Sequence, residues 1–141
     1  MRNRTKGREY ALQMLYQADI RHTGQQEVAA AFWQEEPEAA PDVRAFANEL
    51  FAGTLSHLDE IDGLIARHAD NWAMKRMAVI DRNILRLGVF ELLHLADVPP
   101  KVSINEGIEL AKRFGDAESS KFINGILDAV HKATHAAKSD G

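Results

Sequence analysis

The stretch from Met77 to Leu95 constrains this chain more than any other. Val79, Ile80, Ile84, Leu85, Leu87, Val89, Phe90, Leu92 and Leu95 leave almost no room for a polar face. A helix that is apolar nearly all round must be covered on every side, so this one is predicted to be central. Pro99 and Pro100 end it, because proline cannot donate to a helix ladder. Its few polar residues, Asp81, Arg82, Asn83, Arg86 and Glu91, are unusual in such a setting and require partners.

The flanking segments read as helices that supply this cover. In residues 1–20, Ala11, Met14, Leu15 and Ala18, with Leu12 beside them, recur at helical spacing. Arg4 and Arg8 project near Leu15, so the cations are expected to continue that face beyond its buried part, with Tyr16 at the edge of the stripe. His22–Gln26 reads as a connector, Val28–Trp33 as a short helix and Glu35–Pro41 as a loop. Asp42 is expected to cap a helix carrying Val43, Phe46, Ala47, Leu50, Gly53 and Leu55. His57 and Leu58 lead into another through Ile61, Leu64, Ile65 and His68, which Asn71 and Trp72 interrupt.

Ser103 to Asp128 reads as two helices around a tight corner. Ser103 with Glu106 has the spacing of a capping box. Ile104, Ile108 and Ala111 follow at helical intervals, and Gly115 is expected to stop the helix in a left-handed turn. Asp116 can cap the next helix, whose stripe is Phe122, Ile123, Ile126, Leu127 and Val130. Gly107 and Gly125 lie inside these helices, each at a cost of about 1 kcal/mol relative to alanine, so a close approach to the backbone is expected there. The tail after His135 is expected to fray. With no strand-period alternation, the fold class is all-α. About seven helices are expected in two packed groups around Met77–Leu95, forming a single domain over residues 1–141.

Charge is distributed unevenly. The formal net charge is −4, which taken alone argues against nucleic acid. Arg2, Arg4, Lys6 and Arg8 nevertheless make residues 1–8 a basic arm without an acid. Residues 27–62 carry nine acids against the single base Arg44. Such asymmetry suggests different partners for different faces, or else an acidic solvated surface with a basic tip. The absence of cysteine excludes disulfides and thiol chemistry. No apolar run approaches the roughly 20 residues that span a bilayer, and no signal peptide is evident, so a cytoplasmic location without membrane contact is expected.

No enzyme site is visible. His131 and His135 have the i, i+4 spacing of two zinc ligands, but nothing in the sequence completes a site, and exposed tail histidines are the simpler reading. His57, His68 and His94 read as isolated boundary residues. Glu106 and Glu109 are explained by capping and by pairing with Lys112 or Arg113. Neither a metal nor another cofactor is expected. RNA binding has positive support: arm cations for phosphates, Tyr16 and Phe122 for base stacking, and Asn124 for base edges. Phe122 also reads as a core residue on the stripe of Ile126, and residue physics alone favours that reading.

Three blocks then carry a resemblance. REYALQMLYQ, DRNILRLGVFEL and VPPKVSINEGIELAKRFGDAESSKFINGILD together resemble the NusB family of transcription antitermination factors. The last is specific, pairing INE-x-IELAK-x-FG with KF-x-NG-x-LD. The resemblance implies two three-helix bundles with an additional helix. It further implies binding of boxA-type single-stranded RNA from ribosomal RNA operon leaders, together with the ribosomal protein NusE, in an antitermination complex on RNA polymerase. Some members form homodimers that mask the RNA surface. By motif, Arg2, Arg4, Lys6 and Arg8 match the family's basic N-terminus, Tyr16 the LY of the first helix, and Arg86 the LR of the central helix. Lys121, Phe122 and Asn124 match KF-x-N, which moves Phe122 toward stacking. Gly7 stands where alanine or arginine is common and predicts a more flexible arm. Phe90 stands where tyrosine is frequent, a change expected to affect packing only.

A related module precedes the catalytic domain of some ribosomal RNA cytosine methyltransferases. This chain ends at Gly141 without such a domain and is not expected to be one. The competing reading from another class is a helical protein-interaction adaptor without specific RNA readout.

Overall fold

A computed structural model describes residues 2–69 and 74–140, excluding the side chains of Arg2, Lys75 and residues 136–140. Seven α-helices lie among the described residues: α1 (Arg2–Arg21), α2 (Gln25–Glu35), α3 (Pro41–Ser56), α4 (Leu58–His68), α5 (Val79–His94), α6 (Pro100–Phe114) and α7 (Ser119–Asp140). A 3-10 turn at Met74–Arg76 precedes α5. The expected interruption at Asn71 and Trp72 lies outside the described residues.

The apolar character of α5 decides the architecture. It packs against α1, α3, α4, α6 and α7. Asn83, Ile84, Leu85 and the run Leu87–Glu91 are all buried. On one side α1 packs on α3, with α2 against both. On the other, α6 and α7 pack together on α5, while α4 touches α3, α5 and α7. This is the expected pair of three-helix groups with one additional helix.

The polar residues of α5 find partners on other helices. Arg8 of α1 donates from Nε and Nη2 to Glu91, and Ser103 of α6 donates to the same carboxylate at 3.0 Å. Arg82 and Asn83 donate to Asp19 of α1. Arg86 bridges Asp19 and Asp62, joining α1 and α4 to α5. Because Arg4 lies near Asp97, Arg8 on Glu91 and Asp19 on Arg82, α1 runs antiparallel along α5.

Two interior glycines are explained by one leucine. A Cβ on Gly88 of α5 or Gly107 of α6 would lie 2.8 Å from a methyl of Leu127. The two methyls of this fully buried side chain therefore occupy two backbone hollows, and the packing offsets the propensity cost of Gly107. Gly125 differs: a Cβ there would meet nothing within 4 Å, so it is not a packing glycine.

Several local expectations are corrected. Helix α6 begins at Pro100 with Pro99 as N-cap, so Ser103 and Glu106 do not form a capping box. Both instead serve long-range contacts: Ser103 to Glu91, and Glu106 to Thr5 and Arg8. Gly115 ends α6 in extended rather than left-handed backbone. Ala40, not Asp42, caps α3, because Pro41 is preorganised for its first turn. Asp116 does cap α7, accepting from the N–H groups of Glu118 and Ser119. Gly7 does not loosen the arm. Residues 2–21 are helical, and a Cβ at Gly7 would come within 2.7 Å of Phe46. The backbone after His135 stays helical to Asp140.

Candidate nucleic-acid interface

The aromatic candidates gather around the N-terminal end of α5. Tyr16 is 38% exposed. It lines a shallow groove with Leu12, Gln13, Gln17, Ile80 and Phe114. Phe122 is partly buried, packing on the core from the first turns of α7. It lines a second groove with Lys121, Arg76, Ala78, Asp81 and Asp116. Consecutive residues of α5 line the two grooves, Ile80 the first and Asp81 the second. Lys121 and Asn124, one turn apart on α7, are both exposed. The core and stacking readings of Phe122 are thus compatible in geometry, since it packs on the core and also lines a groove.

The basic arm lies elsewhere. Because α1 is antiparallel to α5, Arg4 and Lys6 sit toward the C-terminal end of α5, about 18 and 15 Å along α1 from Tyr16 at 1.5 Å per residue. Both side chains are exposed. Arg4 stands over the Phe46 ring at 4.5 Å and 3.7 Å from Asp97. Lys6 stands over Tyr10 and near Glu9. The Arg2 side chain lies outside the described residues.

Two expected surface cations are interior. Arg8 is 2% exposed and committed to Glu91, with Glu106 at 3.4 Å. Arg86 is mostly buried between Asp62 and Asp19. Neither is the exposed cation expected from the sequence: both side chains sit in ion pairs that hold helices together. Helical projection could place Arg8 on the face of Arg4 and Leu15, but not show that Glu91 covers it.

The structure also adds residues. Arg76 and Asp81 join Phe122, and Gln13 and Gln17 join Tyr16. Gln13 was accessible from sequence, lying three residues before Tyr16 on the same face. Arg76 and Asp81 were not, because their proximity to Phe122 depends on how α7 packs on α5. Burial raises the Asp81 carboxyl above its ordinary 3.8, Ser119 pulling it down and the Asp116 charge raising it further. Its Oδ1 has no hydrogen-bond partner among the described residues.

Comparison with known proteins gives the frame for this surface. The family model for the NusB family matches residues 5–132. The transcription antitermination protein NusB of Myxococcus xanthus is 52% identical over 130 residues, covering 90% of this chain and 93% of that protein. The T. maritima NusB structure superposes with a TM-score of 0.84 at 35% identity, covering 92% of this chain and 90% of that one. A chain from the crystal structure of antitermination factors NusB and NusE in complex with dsRNA superposes with a TM-score of 0.87 at 32% identity. That match covers 94% of this chain and 98% of the other. A family match across nearly the whole domain, with the central helix and the α6–α7 corner where the motifs require them, means that the chain belongs to the NusB family.

Proposed function

We propose that this chain is a transcription antitermination factor that binds boxA-type single-stranded RNA together with NusE and acts on elongating RNA polymerase by binding, without catalysis. The observation that carries the reading is the pair of grooves lined by the consecutive α5 residues Ile80 and Asp81, one bordered by Tyr16 and the other by Phe122 and Lys121. Rings on which bases stack, a cation for phosphate, and an amide one turn away at Asn124 make the set that single-stranded recognition uses.

Within this reading Tyr16 and Phe122 stack bases, Asn124 meets a base edge, and Lys121 meets phosphate. Arg4 and Lys6, with Arg2, take the RNA backbone further along α1. Arg8 and Arg86 act indirectly by fixing α1 against α5. Gly125 leaves α7 open for the RNA to approach. The related NusB and NusE structure supports the choice of partners. Since its RNA is double-stranded, duplex RNA belongs in the test.

The test is a salt-titrated binding series with boxA RNA, a scrambled single strand and a duplex, each with and without NusE. Preference for the boxA strand, strengthened by NusE, is expected. Equal affinity for boxA and scrambled strands, or no binding to either, would overturn the reading in favour of a protein-interaction adaptor.

A further inference from the structure

His57 and Glu60, three residues apart at the start of α4, meet His94 from the end of α5. His57 is the junction residue between α3 and α4, Glu60 lies in the first turn of α4, and His94 is the last residue of α5. The three offer one ligand atom each, all within 4.8 Å of one another. His94 Nε2 is 2.9 Å from Glu60 Oε1, and His57 Nδ1 is 3.8 Å from the same oxygen. The imidazoles are stacked with centroids 3.9 Å apart.

All three side chains are exposed, and packing at Gly53 and Phe90 positions the two histidines. A Cβ on Gly53 would collide with the Phe90 ring, so glycine there lets that ring lie against α3. Phe90 in turn backs both histidines, with ring centroids 5.4 Å from His94 and 6.2 Å from His57. The His57 backbone is held at both ends: its N–H bonds Gly53 O at 3.2 Å, and its carbonyl accepts from Ile61 N at 3.0 Å. Asp59 borders the same open pocket, and residues 45–66 carry no lysine or arginine to repel a cation.

We propose that His57, His94 and Glu60 form a binding site for a borderline divalent transition-metal ion, zinc in the first instance. Two imidazole nitrogens and a carboxylate oxygen are a familiar zinc donor set, leaving a fourth position for water or Asp59. Tetrahedral ligands at zinc distances lie about 3.3 Å apart, and the observed 2.9 and 3.8 Å bracket that value. Closing the set requires the two stacked rings to tilt apart, because each ligating lone pair lies in the plane of its ring. The ion would tie the α3–α4 junction to the C-terminal end of α5. Copper and nickel would compete at the same donors.

The test is calorimetric titration of the full chain with Zn(II), alongside Co(II) absorption and melting curves. One equivalent of Zn(II), tetrahedral Co(II) bands and a melting temperature that rises with zinc are expected. His94→Ala and Glu60→Gln, each melting normally in chelator, are expected to lose zinc affinity, for His94→Ala by at least about 100-fold, the upper end for outer-shell partners. His131→Ala with His135→Ala should change nothing. Absence of stoichiometric binding would overturn the proposal. So would binding that survives His94→Ala, or that disappears with the His131 and His135 variants instead.

Discussion

The Arg8 guanidinium on α1 forks onto the Glu91 carboxylate on α5, Nε 2.9 Å from Oε2 and Nη2 2.8 Å from Oε1, with both residues 2% exposed. Removing one member leaves the other charged in the interior, which typically costs about 3–5 kcal/mol. Arg8→Ala is therefore expected to destabilise the fold by that order in denaturant unfolding. A paired Arg8→Met, Glu91→Leu variant should recover much of it. Arg8→Ala losing RNA binding while keeping its unfolding midpoint would place Arg8 at the RNA after all.

Arg4 and Lys6 should behave oppositely. Their alanine variants are expected to melt within about 0.5 kcal/mol of the parent, since both are exposed. Each lost phosphate contact should flatten the salt dependence of boxA binding by about 0.7 in log–log slope. An unchanged slope would remove the arm from the interface.

Phe122→Ala and Tyr16→Ala are each expected to weaken RNA binding by about 1–3 kcal/mol, the range for loss of one stacked base. Because Phe122 also packs on the core, affinity must be measured per folded molecule. A drop in melting temperature with unchanged affinity would return Phe122 to a purely structural role.

Asp19 and Asp81 should move stability in opposite directions with pH. Burial pushes Asp19 upward, but hydrogen bonds from Arg82 and Asn83 and the charges of Arg86 and Arg82 outweigh it and hold the carboxyl below 3.8. Its contribution is fully present above about pH 3.8 and is lost as pH falls through the lower folded value. Asp19→Asn should therefore be less stable at pH 7, the gap narrowing in acid. Asp81 is held above 3.8, so its ionisation costs stability as pH rises from 3.8 through the folded value. Asp81→Asn should match or exceed the parent at pH 7, the difference fading below pH 3.8. Melting curves from pH 3 to 7 would show both trends, and a reversed order for either residue would contradict its environment.

Leu127→Ala is expected to cost about 2–5 kcal/mol, because its methyls fill the hollows at Gly88 and Gly107 and their loss leaves a cavity there. Gly107→Ala should also destabilise, despite the higher helix propensity of alanine, since its Cβ would lie 2.8 Å from Leu127. A stabilised Gly107→Ala would show that α7 can shift freely.

Much of this protein was determined by its sequence alone. The near-continuous apolar surface of Met77–Leu95 required a central helix, because uncovered apolar area is costly on any side. Spacing identified the stripes of α1 and α7, and Asp116 marked the start of α7, since caps act within a few residues. What lay beyond it was long-range pairing. Ser103 and Glu106 imitate a capping box locally, yet Glu91 and Arg8 claim them from other helices. Arg8 and Arg4 are equivalent in projection, and only the packing of α1 on α5 buries one and exposes the other. His57 and His94 read as isolated until Gly53 and Phe90 bring α3 and α5 together. Periodicity reports which face of a helix is apolar. Which polar partner meets that face depends on contacts that close long loops, and only the tertiary structure decided those.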